Sequence, residues 1–484
     1  MASVAREKTF YKGDQLELLI EDLAVGGKGI ARVETPRGAF AVFVQNTWPG
    51  QRVKARVVLS KARYAECQLE EVLERAPEEV ETGFQPIPGA PFASVPVALQ
   101  RELKERITLD LYRRFGEVDD VESVYGGWIA APEHWHYRNK MEYSFSAIRH
   151  DLETDEKVDG FGLGFKHRGT WWAVENLDAD SGLFDAEVES RLHRVRQWCE
   201  ATGLPAWHPP RRQGFFRFLV VRRSLAENAL LIQLVTTSEG LDTFDLQAFI
   251  ALVRELWGAR VAGILHTIND DTGERVEARE GEHHLIWGSD RITEKLGELK
   301  FKIQMGSFFQ TNPRSAELLY NEVIEQALAP ATWSRRAYWM DLFCGTGTIA
   351  QWLARATHQP IIGVDIVPEA IADAQVSAVE NGAEGIAFHA ADVGKFLLEF
   401  PEYAGQIDTI ILDPPRAGIS PKTLRKIIRL GAPRLVYVSC NPATQARDLV
   451  ELQAHGYRLK SLRLVDQFPH TSHVEAVARL DRME

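Results

Sequence analysis

The spacing of hydrophobic positions changes along this 484-residue chain, and the changes predict three folded parts and a linker. Between residues 14 and 72, short runs of alternating apolar and polar residues are interrupted by glycines, which is typical of a small antiparallel β-barrel. From residue 332 onward, apolar strands, glycine turns and amphipathic helices alternate, which predicts a parallel, doubly wound α/β sheet. The expected parts are a barrel at 1–74, an acidic and proline-containing linker at 75–95, a central α+β domain at 96–300 and a doubly wound domain at 301–484.

The doubly wound part is expected to hold seven strands. They fall at 337–342, 360–364, 386–389, 409–412, 434–438, 458–465 and 474–480. Ligands of such sheets bind beyond the carboxyl ends of the strands. Residues that directly follow a predicted strand are therefore the first candidates for chemistry.

Composition places the chain among ordinary globular proteins. Hydrophobic residues make up 45% and charged residues 26%, which argues against a disordered or fibrous chain. The apolar run at 39–44 is six residues long, whereas a membrane-spanning helix needs about 20. Residues 1–11 carry charge and lack the apolar core of a secretory signal. We therefore expect a cytoplasmic protein that does not bind membranes, and no obligate protein partner is evident.

Charge is distributed unevenly along the chain. The net charge of −12 disfavours a protein that coats nucleic acid without specificity. Residues 1–64, in contrast, hold 11 Lys and Arg against 6 Asp and Glu, a net charge of +5. The predicted barrel is a basic module on an acidic chain.

The four cysteines show no metal-binding pattern. Cys67, Cys199, Cys344 and Cys440 are 132, 145 and 96 residues apart, whereas zinc and iron–sulfur ligands include closely spaced pairs. We therefore expect neither disulfides nor a metal cluster.

A glycine turn follows the first strand of the doubly wound part. Gly345 permits a tight turn, Gly347 lets the backbone approach a ligand, and a helix follows whose first N–H groups are unpaired. Asp365 ends the next predicted strand, where a carboxylate can accept both hydroxyls of a ribose. This order predicts a nucleoside-cofactor site, although a glycine turn with a solvated acid fits too. These residues alone leave a dinucleotide and S-adenosyl-L-methionine both open.

Two titratable residues stand where predicted strands end or begin. Cys440 precedes Asn441-Pro442 and a helix, and a helix N-terminus lowers the pKa of a thiol. Glu475 lies in an otherwise apolar final strand, where burial would raise its pKa and make it a general base near neutral pH. A small buried thiol and a solvent-facing acid are the alternatives. His470 and His473 are poor metal candidates and are expected to orient their loop or contact phosphate.

Four segments together resemble the RNA uracil carbon-5 methyltransferase family, and the basic barrel resembles that family's TRAM domain, an OB-like RNA-binding module. The segments are the glycine turn at 341–348, Asp-Pro-Pro-Arg-Ala-Gly at 413–418, Val-Tyr-Val-Ser-Cys-Asn-Pro-Ala-Thr at 436–444, and Phe-Pro-His-Thr at 468–471 with Glu475. The similarity covers the whole catalytic domain, and the cysteine and Phe-Pro-His-Thr motifs are specific.

The resemblance implies a Rossmann-like methyltransferase domain with S-adenosyl-L-methionine as cofactor. It makes Cys440 the nucleophile and Glu475 the base. The expected cofactor-binding residues are Gln310, Phe343, Asp365, Asp392 and Asp413, together with Gly345 of the glycine turn. Because carbon 5 of uracil is weakly nucleophilic, the thiolate would first add to carbon 6. The target base must leave its stack, and Phe308 or Phe309 is a candidate to stack on it.

The expected substrate is RNA, with 23S rRNA favoured and tRNA as the alternative. Members specific for ribosomal RNA often carry a four-cysteine iron–sulfur site after the barrel, but residues 84–103 contain no cysteine. No iron–sulfur cluster is therefore expected. Either this member works without the cluster, or its substrate differs from that of the members that carry it. A dinucleotide-dependent oxidoreductase and a non-catalytic RNA-binding protein are the remaining alternatives.

Two stretches of the central part interleave basic and aromatic residues. Residues 134–140 and 207–223 have the composition of a surface that follows unpaired RNA. Alternating Phe and Arg is equally typical of an ordinary half-buried strand. The sequence leaves both interpretations open.

Overall fold

The computed structural model describes residues 9–36, 38–152, 154, 156–277 and 281–483. The N-terminal part is a six-stranded sheet in the order β1-β5-β6-β4-β3-β2. Its strands are β1 (Gln15–Leu19), β2 (Asp22–Leu23), β3 (Lys28–Thr35), β4 (Gly38–Gln45), β5 (Arg52–Ser60) and β6 (Tyr64–Glu74). Its pairings are antiparallel except β4 with β6. Alternate residues such as Val42, Val44, Val53 and Ala55 are fully buried, which is the alternation that the sequence shows.

A helical segment connects this barrel to the rest of the chain. It consists of α1 (Val97–Phe115), α2 (Val121–Val124) and the short strand β7 (Tyr125–Ile129). Leu111 and Tyr112 of α1 are buried in the same core as the strands of the C-terminal sheet.

The central part is a seven-stranded sheet in the order β10-β9-β8-β11-β12-β13-β14. Its elements are β8 (Lys140–His150), β9 (Lys157–Lys166), β10 (Val174–Asn176), α3 (Ala186–Glu189), α4 (Leu192–Ala201), β11 (Phe216–Arg223), β12 (Leu230–Thr236), α5 (Leu246–Trp257), β13 (Val261–Ile268) and β14 (Glu282–Gly288). A two-stranded hairpin and a helix follow, namely β15 (Arg291–Leu296), β16 (Leu299–Gln304) and α6 (Pro313–Leu328).

Strand β11 shows that the alternating Phe and Arg residues are internal. It lies in the middle of the sheet and all eight of its residues are buried. The Arg217 guanidinium donates to the backbone carbonyls of Asn269 and Asp271, each at 2.6 Å, and lies 4.4 Å from the ring centre of Trp207. In this strand the half-buried interpretation was closer, and the RNA-surface interpretation is wrong.

The C-terminal part is an eight-stranded sheet in the order β19-β18-β17-β20-β21-β23-β22-β7. Its remaining elements are β17 (Tyr338–Leu342), α7 (Thr348–Thr357), β18 (Ile361–Asp365), α8 (Pro368–Glu380), β19 (Ile386–Ala390), α9 (Val393–Glu399), β20 (Ile407–Leu412), α10 (Pro421–Arg429), β21 (Arg434–Ser439), α11 (Pro442–Ala454), β22 (Tyr457–Val465) and β23 (Glu475–Arg482). All seven expected strands are present, each within two residues of its predicted ends. Helices cover both faces, so the doubly wound α/β class is confirmed.

Two features differ from a purely parallel sheet built from residues 301–484. Strand β23 runs antiparallel to both of its neighbours, because the 466–474 connection is too short for a parallel crossover. The eighth strand, β7, comes from residues 125–129 and pairs with β22. The sheet therefore includes residues that the sequence assigned to the central domain. In the described part of the chain, no helix is long and apolar enough to cross a membrane.

Candidate active site

Three adjacent strands bring Asp413, Cys440 and Glu475 to one edge of the C-terminal sheet. Asp413 follows β20, Cys440 follows β21, and Glu475 is the first residue of β23. Ser439 pairs with Ala476, so one more step of the antiparallel register sets Cys440 opposite Glu475. A thiol and two carboxyl groups therefore share the edge at which ligands of such sheets bind.

Burial raises the pKa values of all three groups, and acidic neighbours raise those of Glu475 and Cys440 further. Burial raises the pKa of Asp413 to about 7. It raises the pKa of Glu475 to about 8, with the charge of Asp413 adding to the effect. This agrees with the expectation of a carboxyl group that titrates near neutral pH.

Cys440 does not have the low pKa that its position before a helix predicts. The thiol is half-buried, and burial raises its pKa to about 11, with Glu475 and Asp413 adding to the increase. Arg416 opposes the increase only in part. Burial and two acidic neighbours thus outweigh the N-terminus of α11, whose cap is the Asn441 side chain.

The glycine turn has the conformation that its sequence predicts. Gly345 and Gly347 have φ of 52° and 71°, the left-handed region that favours glycine. A side chain at Gly347 would collide with Phe388, whereas one at Gly345 would meet open space. The Asp365 carboxylate accepts the backbone N–H groups of Gly345 and Val367, each at 2.9 Å. These bonds fix the acid beside open space at the switch point between β17 and β20.

The other predicted cofactor residues lie around this turn or beside Glu475. Phe343 is half-buried and has φ of 68°, and it leads into the turn. Asp392 is exposed and caps α9 by accepting the Lys395 N–H at 2.9 Å. Gln310 is half-buried, and its Oε1 atom lies 3.5 Å from Nε2 of Gln467.

Sequence reasoning missed two groups in this cluster. Asp341, near the end of β17, is fully buried, and burial raises its pKa to about 8 with Asp413 adding to the effect. The phenol of Tyr320 in α6 is bonded to Gln310, and burial raises its pKa with help from Asp413. The Asp-Leu-Phe-Cys-Gly sequence was a usable signal for Asp341. Tyr320 carried none, because its helix is placed by tertiary packing.

The Phe-Pro-His-Thr loop is held from both sides. His470 has φ of 64°, its N–H donates to Gln100 Oε1 at 2.9 Å, and its ring stacks on Trp135 with centres 3.7 Å apart. Burial lowers the pKa of both His470 and His473 to about 4, so both rings are neutral at physiological pH. The contacts with Gln100 and Trp135 fix His470, which agrees with a role in orienting the loop.

Cys440 opens into a cavity whose walls come from three regions of the chain. The catalytic part contributes Arg416, Cys440, Asn441, Ser472 and His473, helix α1 contributes Gln100 and Lys104, and the barrel contributes residues 23–27. Neither α1 nor the barrel was assigned to the site from sequence. Helix α1 and the barrel lie next to Cys440 through contacts between residues hundreds of positions apart, and local sequence patterns do not predict such contacts.

The two stacking candidates differ sharply in exposure. Phe309 is buried and packs on Phe301, with ring centres 5.9 Å apart. Phe308 is 75% exposed. Of the two, only Phe308 presents its ring to a ligand.

The fold and this edge define a doubly wound α/β enzyme with a nucleoside-cofactor turn beside a cysteine and an acid. Residues 253–483 match the family model described as tRNA (Uracil-5-)-methyltransferase, and residues 9–69 match the TRAM domain. RNA methyltransferases of Clostridium acetobutylicum and Chlorobaculum tepidum are each 35% identical to this chain, over 98% and 99% of it and 99% of their own lengths. The chain belongs to the RNA (uracil-5-)-methyltransferase family and carries an N-terminal TRAM domain, so the oxidoreductase alternative is wrong.

A solved structure supports the same architecture. The chain is similar to Pyrococcus abyssi tRNA (uracil-54, C5)-methyltransferase in complex with S-adenosyl-L-homocysteine, with a TM-score of 0.69 and 24% identity over 96% of this chain and all of that one. The Rossmann-like fold is thereby confirmed. The cofactor of the enzyme is S-adenosyl-L-methionine, and the glycine turn fits it because Gly345 faces open space beside the fixed Asp365 carboxylate.

Proposed function

We propose that the enzyme methylates carbon 5 of a specific uridine in RNA through a covalent bond between Cys440 Sγ and carbon 6 of the ring. The observation that carries this proposal is the register of β21 and β23, which sets Cys440 opposite Glu475. A nucleophile and a base must reach adjacent carbons of one pyrimidine ring. Neighbouring positions on two paired strands satisfy that requirement.

The chemistry assigns a separate task to each residue. The Cys440 thiol first loses its proton to solvent, and addition of the resulting thiolate to carbon 6 moves the electrons of the carbon 5–carbon 6 double bond onto carbon 5 and the adjacent carbonyl. S-Adenosyl-L-methionine, when bound, supplies an electrophilic methyl group. Glu475 then removes the proton from carbon 5, the double bond reforms, and the Sγ–carbon 6 bond breaks. Cys440 leaves as a thiolate, ready for another cycle.

The cofactor would be held beside the glycine turn, by residues that do not line the cavity shared with the barrel. Asp365 would bind the ribose, and Gly345 and Phe343 would line the turn beneath it. Gln310, Asp392 and Asp413 are the remaining proposed contacts. Tyr320 is hydrogen-bonded to Gln310, and the charge of Asp413 raises its pKa, which supports placing Gln310 and Asp413 in the same region.

For the substrate we propose 23S rRNA, with the T-loop uridine of tRNA as the alternative. The basic TRAM barrel favours a large RNA, which is why rRNA comes first. The tRNA alternative rests on the name of the matching family and on the similarity to a tRNA methyltransferase. Both substrates place the proposed activity in the cytoplasm. Mapping 5-methyluridine in rRNA and tRNA from cells that lack the protein decides between them.

The covalent step is tested with RNA that contains 5-fluorouridine. Fluorine replaces the proton that Glu475 removes, so the adduct cannot break down after methyl transfer. With S-adenosyl-L-methionine present, we expect a protein–RNA complex that survives denaturing electrophoresis.

Variants assign the roles. Cys440→Ala is expected to form no complex, whereas Cys199→Ala, which changes a buried thiol of helix α4 in the central part, forms it as the wild type does. Glu475→Gln is expected to accumulate the adduct even on ordinary RNA. Methylation by Cys440→Ala, or the absence of any adduct with the wild type, would overturn the mechanism.

A further inference from the structure

The β2–β3 loop of the TRAM barrel lies on the cavity that contains Cys440. Residues 23–27 line this cavity together with Cys440, Asn441 and His473. Their sequence, Leu-Ala-Val-Gly-Gly, carries no charge and no polar side chain. This loop is unsuited to bind phosphate by ion pairing, and it offers an apolar surface to a flat ring.

A separate hydrophobic cluster holds the barrel next to this cavity. Leu23 and Trp48 of the barrel are buried with Phe92 and Val95 of the linker, and Leu103 of α1 packs against them. The rings of Trp48 and Phe92 meet edge to face, with centres 5.1 Å apart. The predicted linker is therefore packed between barrel and helix, so it fixes the position of the barrel.

Two polar contacts join the loop to the rest of the enzyme. Asp22 Oδ1 lies 2.6 Å from Nη2 of Arg106 on α1. The Ser472 hydroxyl donates to the Gly26 carbonyl at 3.2 Å, which ties the loop to the segment between the Phe-Pro-His-Thr motif and Glu475. The loop is thus attached within three residues of the proposed base.

Gly27 makes this approach possible. Its φ is 79°, and a Cβ atom there would lie 2.2 Å from Cβ of Ser472 and 2.5 Å from its Oγ. Any side chain at position 27 must push the loop away from Ser472, because atoms this close overlap. Gly27 and Ser472 both line the cavity that contains Cys440, so a side chain at position 27 would displace part of its wall.

We propose that residues 23–27 of the TRAM barrel form a wall of the active site, against which the target uracil ring is held while Cys440 attacks it. The barrel then serves as part of the base pocket as well as an RNA-binding module. This inference rests on the proposed function, since it takes the uridine as the occupant of the cavity. A ring held from the barrel side has its carbon 6 kept next to Cys440 and water excluded from the reacting edge.

The test is Gly27→Ala in the full-length enzyme. We expect the single-turnover rate of adduct formation on 5-fluorouridine RNA to fall at least tenfold. The affinity for S-adenosyl-L-methionine should stay within twofold, because the residues proposed to bind it do not line this cavity. Gly13→Ala is the matched control: Gly13 has φ of 100° in the same barrel, but a Cβ there meets open space. It should react at the wild-type rate.

A compensating change separates a lost fit from a misfolded barrel. Ser472→Gly removes both atoms that the new methyl group at position 27 would strike, and it also removes the hydroxyl bond to Gly26. Gly27→Ala with Ser472→Gly should therefore react as fast as Ser472→Gly alone, and faster than Gly27→Ala. Arg106→Met, which breaks the Asp22 contact, should lower the rate about two- to fivefold. Arg101→Met is its control, because Arg101 pairs with Glu105 inside the same helix.

The outcomes are distinguishable from those of the mechanism itself. If wild-type enzyme forms the adduct and Gly27→Ala forms it at the same rate, the wall proposal is wrong while the chemistry stands. A slow Gly27→Ala variant that Ser472→Gly does not rescue also overturns it. If the wild type forms no adduct, the proposed function fails first. In that case, unchanged RNA affinity of Gly27→Ala would count against the wall as well.

Discussion

At the residue scale, the site contains three titratable groups whose negatively charged forms are disfavoured. Burial raises the pKa values of Asp413, Glu475 and Cys440 above their usual ranges, and the charge of Asp413 raises those of Glu475 and Cys440 further. A negative charge on Glu475 disfavours a second one on Cys440. Burial and these charges therefore favour the protonated thiol in the free enzyme at neutral pH.

This coupling predicts that Glu475→Gln lowers the pKa of Cys440. As pH rises through about 8, Glu475 becomes an anion and raises the pKa of the thiol toward about 11. Glutamine never carries that charge, so the thiolate forms at lower pH. The rate of alkylation of Cys440 by iodoacetamide, measured against pH without RNA, should have its midpoint about 1 pH unit lower than in the wild type.

The control for this shift is Glu451→Gln. Glu451 lies in α11, the helix that follows Cys440, and pairs with Arg425 on the surface. Its substitution removes the same charge at a surface position of the helix next to Cys440, and it should leave the midpoint unchanged. An equal midpoint in the wild type and Glu475→Gln would show that the two groups do not interact.

At the element scale, a buried ion pair joins α1 to the end of β22. Lys104 Nζ lies 3.1 Å from Oδ1 of Asp466, and the two side chains are 6% and 4% exposed. The same ammonium donates to the Phe468 carbonyl at 3.4 Å. Burial lowers the pKa of Lys104, and the charge of Asp466 opposes this. Helix α1 thus holds the start of the loop that leads to His470 and Glu475.

Lys104→Met is expected to destabilise the protein by about 3 kcal/mol, because it leaves the Asp466 carboxylate buried without its cation. Adding Asp466→Leu should recover most of that loss, since a well-packed apolar pair replaces the ionic one. Urea denaturation followed by circular dichroism measures both. Arg101→Met, which alters an exposed pair on the same helix, should cost less than about 1 kcal/mol. A loss equally small for Lys104→Met would contradict the role given to this pair.

The sequence predicted the positions of individual strands better than it predicted which strands pair and which residues meet in the folded protein. The strands that end at Leu412 and Ser439 were placed by local apolar runs, and their ends located Asp413 and Cys440. Strand β7 was not assigned to this sheet, because its pairing of Tyr125 with Leu462 depends on residues far apart in the chain. The pKa of Cys440 was mispredicted for the same reason: the helix is local, whereas burial and the charge of Glu475 come from tertiary contacts.

At the scale of the whole molecule, an acidic enzyme must hold a polyanion, and the barrel supplies the opposite charge. The chain as a whole has a net charge of −12, while residues 1–64 sum to +5. Lys61 and Arg63 lie exposed at the turn between β5 and β6. If this turn contacts phosphates, its charges contribute to affinity through counterion release and not through the geometry of the active site.

Lys61→Glu with Arg63→Glu is therefore expected to weaken RNA binding and to flatten its salt dependence. Each lost phosphate contact should reduce the slope of log K against log salt by about 0.7 to 0.9. Binding measured by filter retention between low and physiological salt gives the slope, and affinity for S-adenosyl-L-methionine should not change.

The matched control reverses the charge of two lysines beside another turn. Lys295 and Lys300 are exposed cross-strand neighbours in the β15–β16 hairpin. The Lys300 N–H donates to the side-chain oxygen of Asn381, the residue after α8. Asn381 lies at the opposite edge of the sheet from Cys440. Lys295→Glu with Lys300→Glu changes the net charge by the same amount. If both double variants lower the slope equally, RNA responds only to total charge. A loss confined to the barrel variant would show that the TRAM barrel itself carries the phosphate contacts, because RNA then senses where the charge is placed.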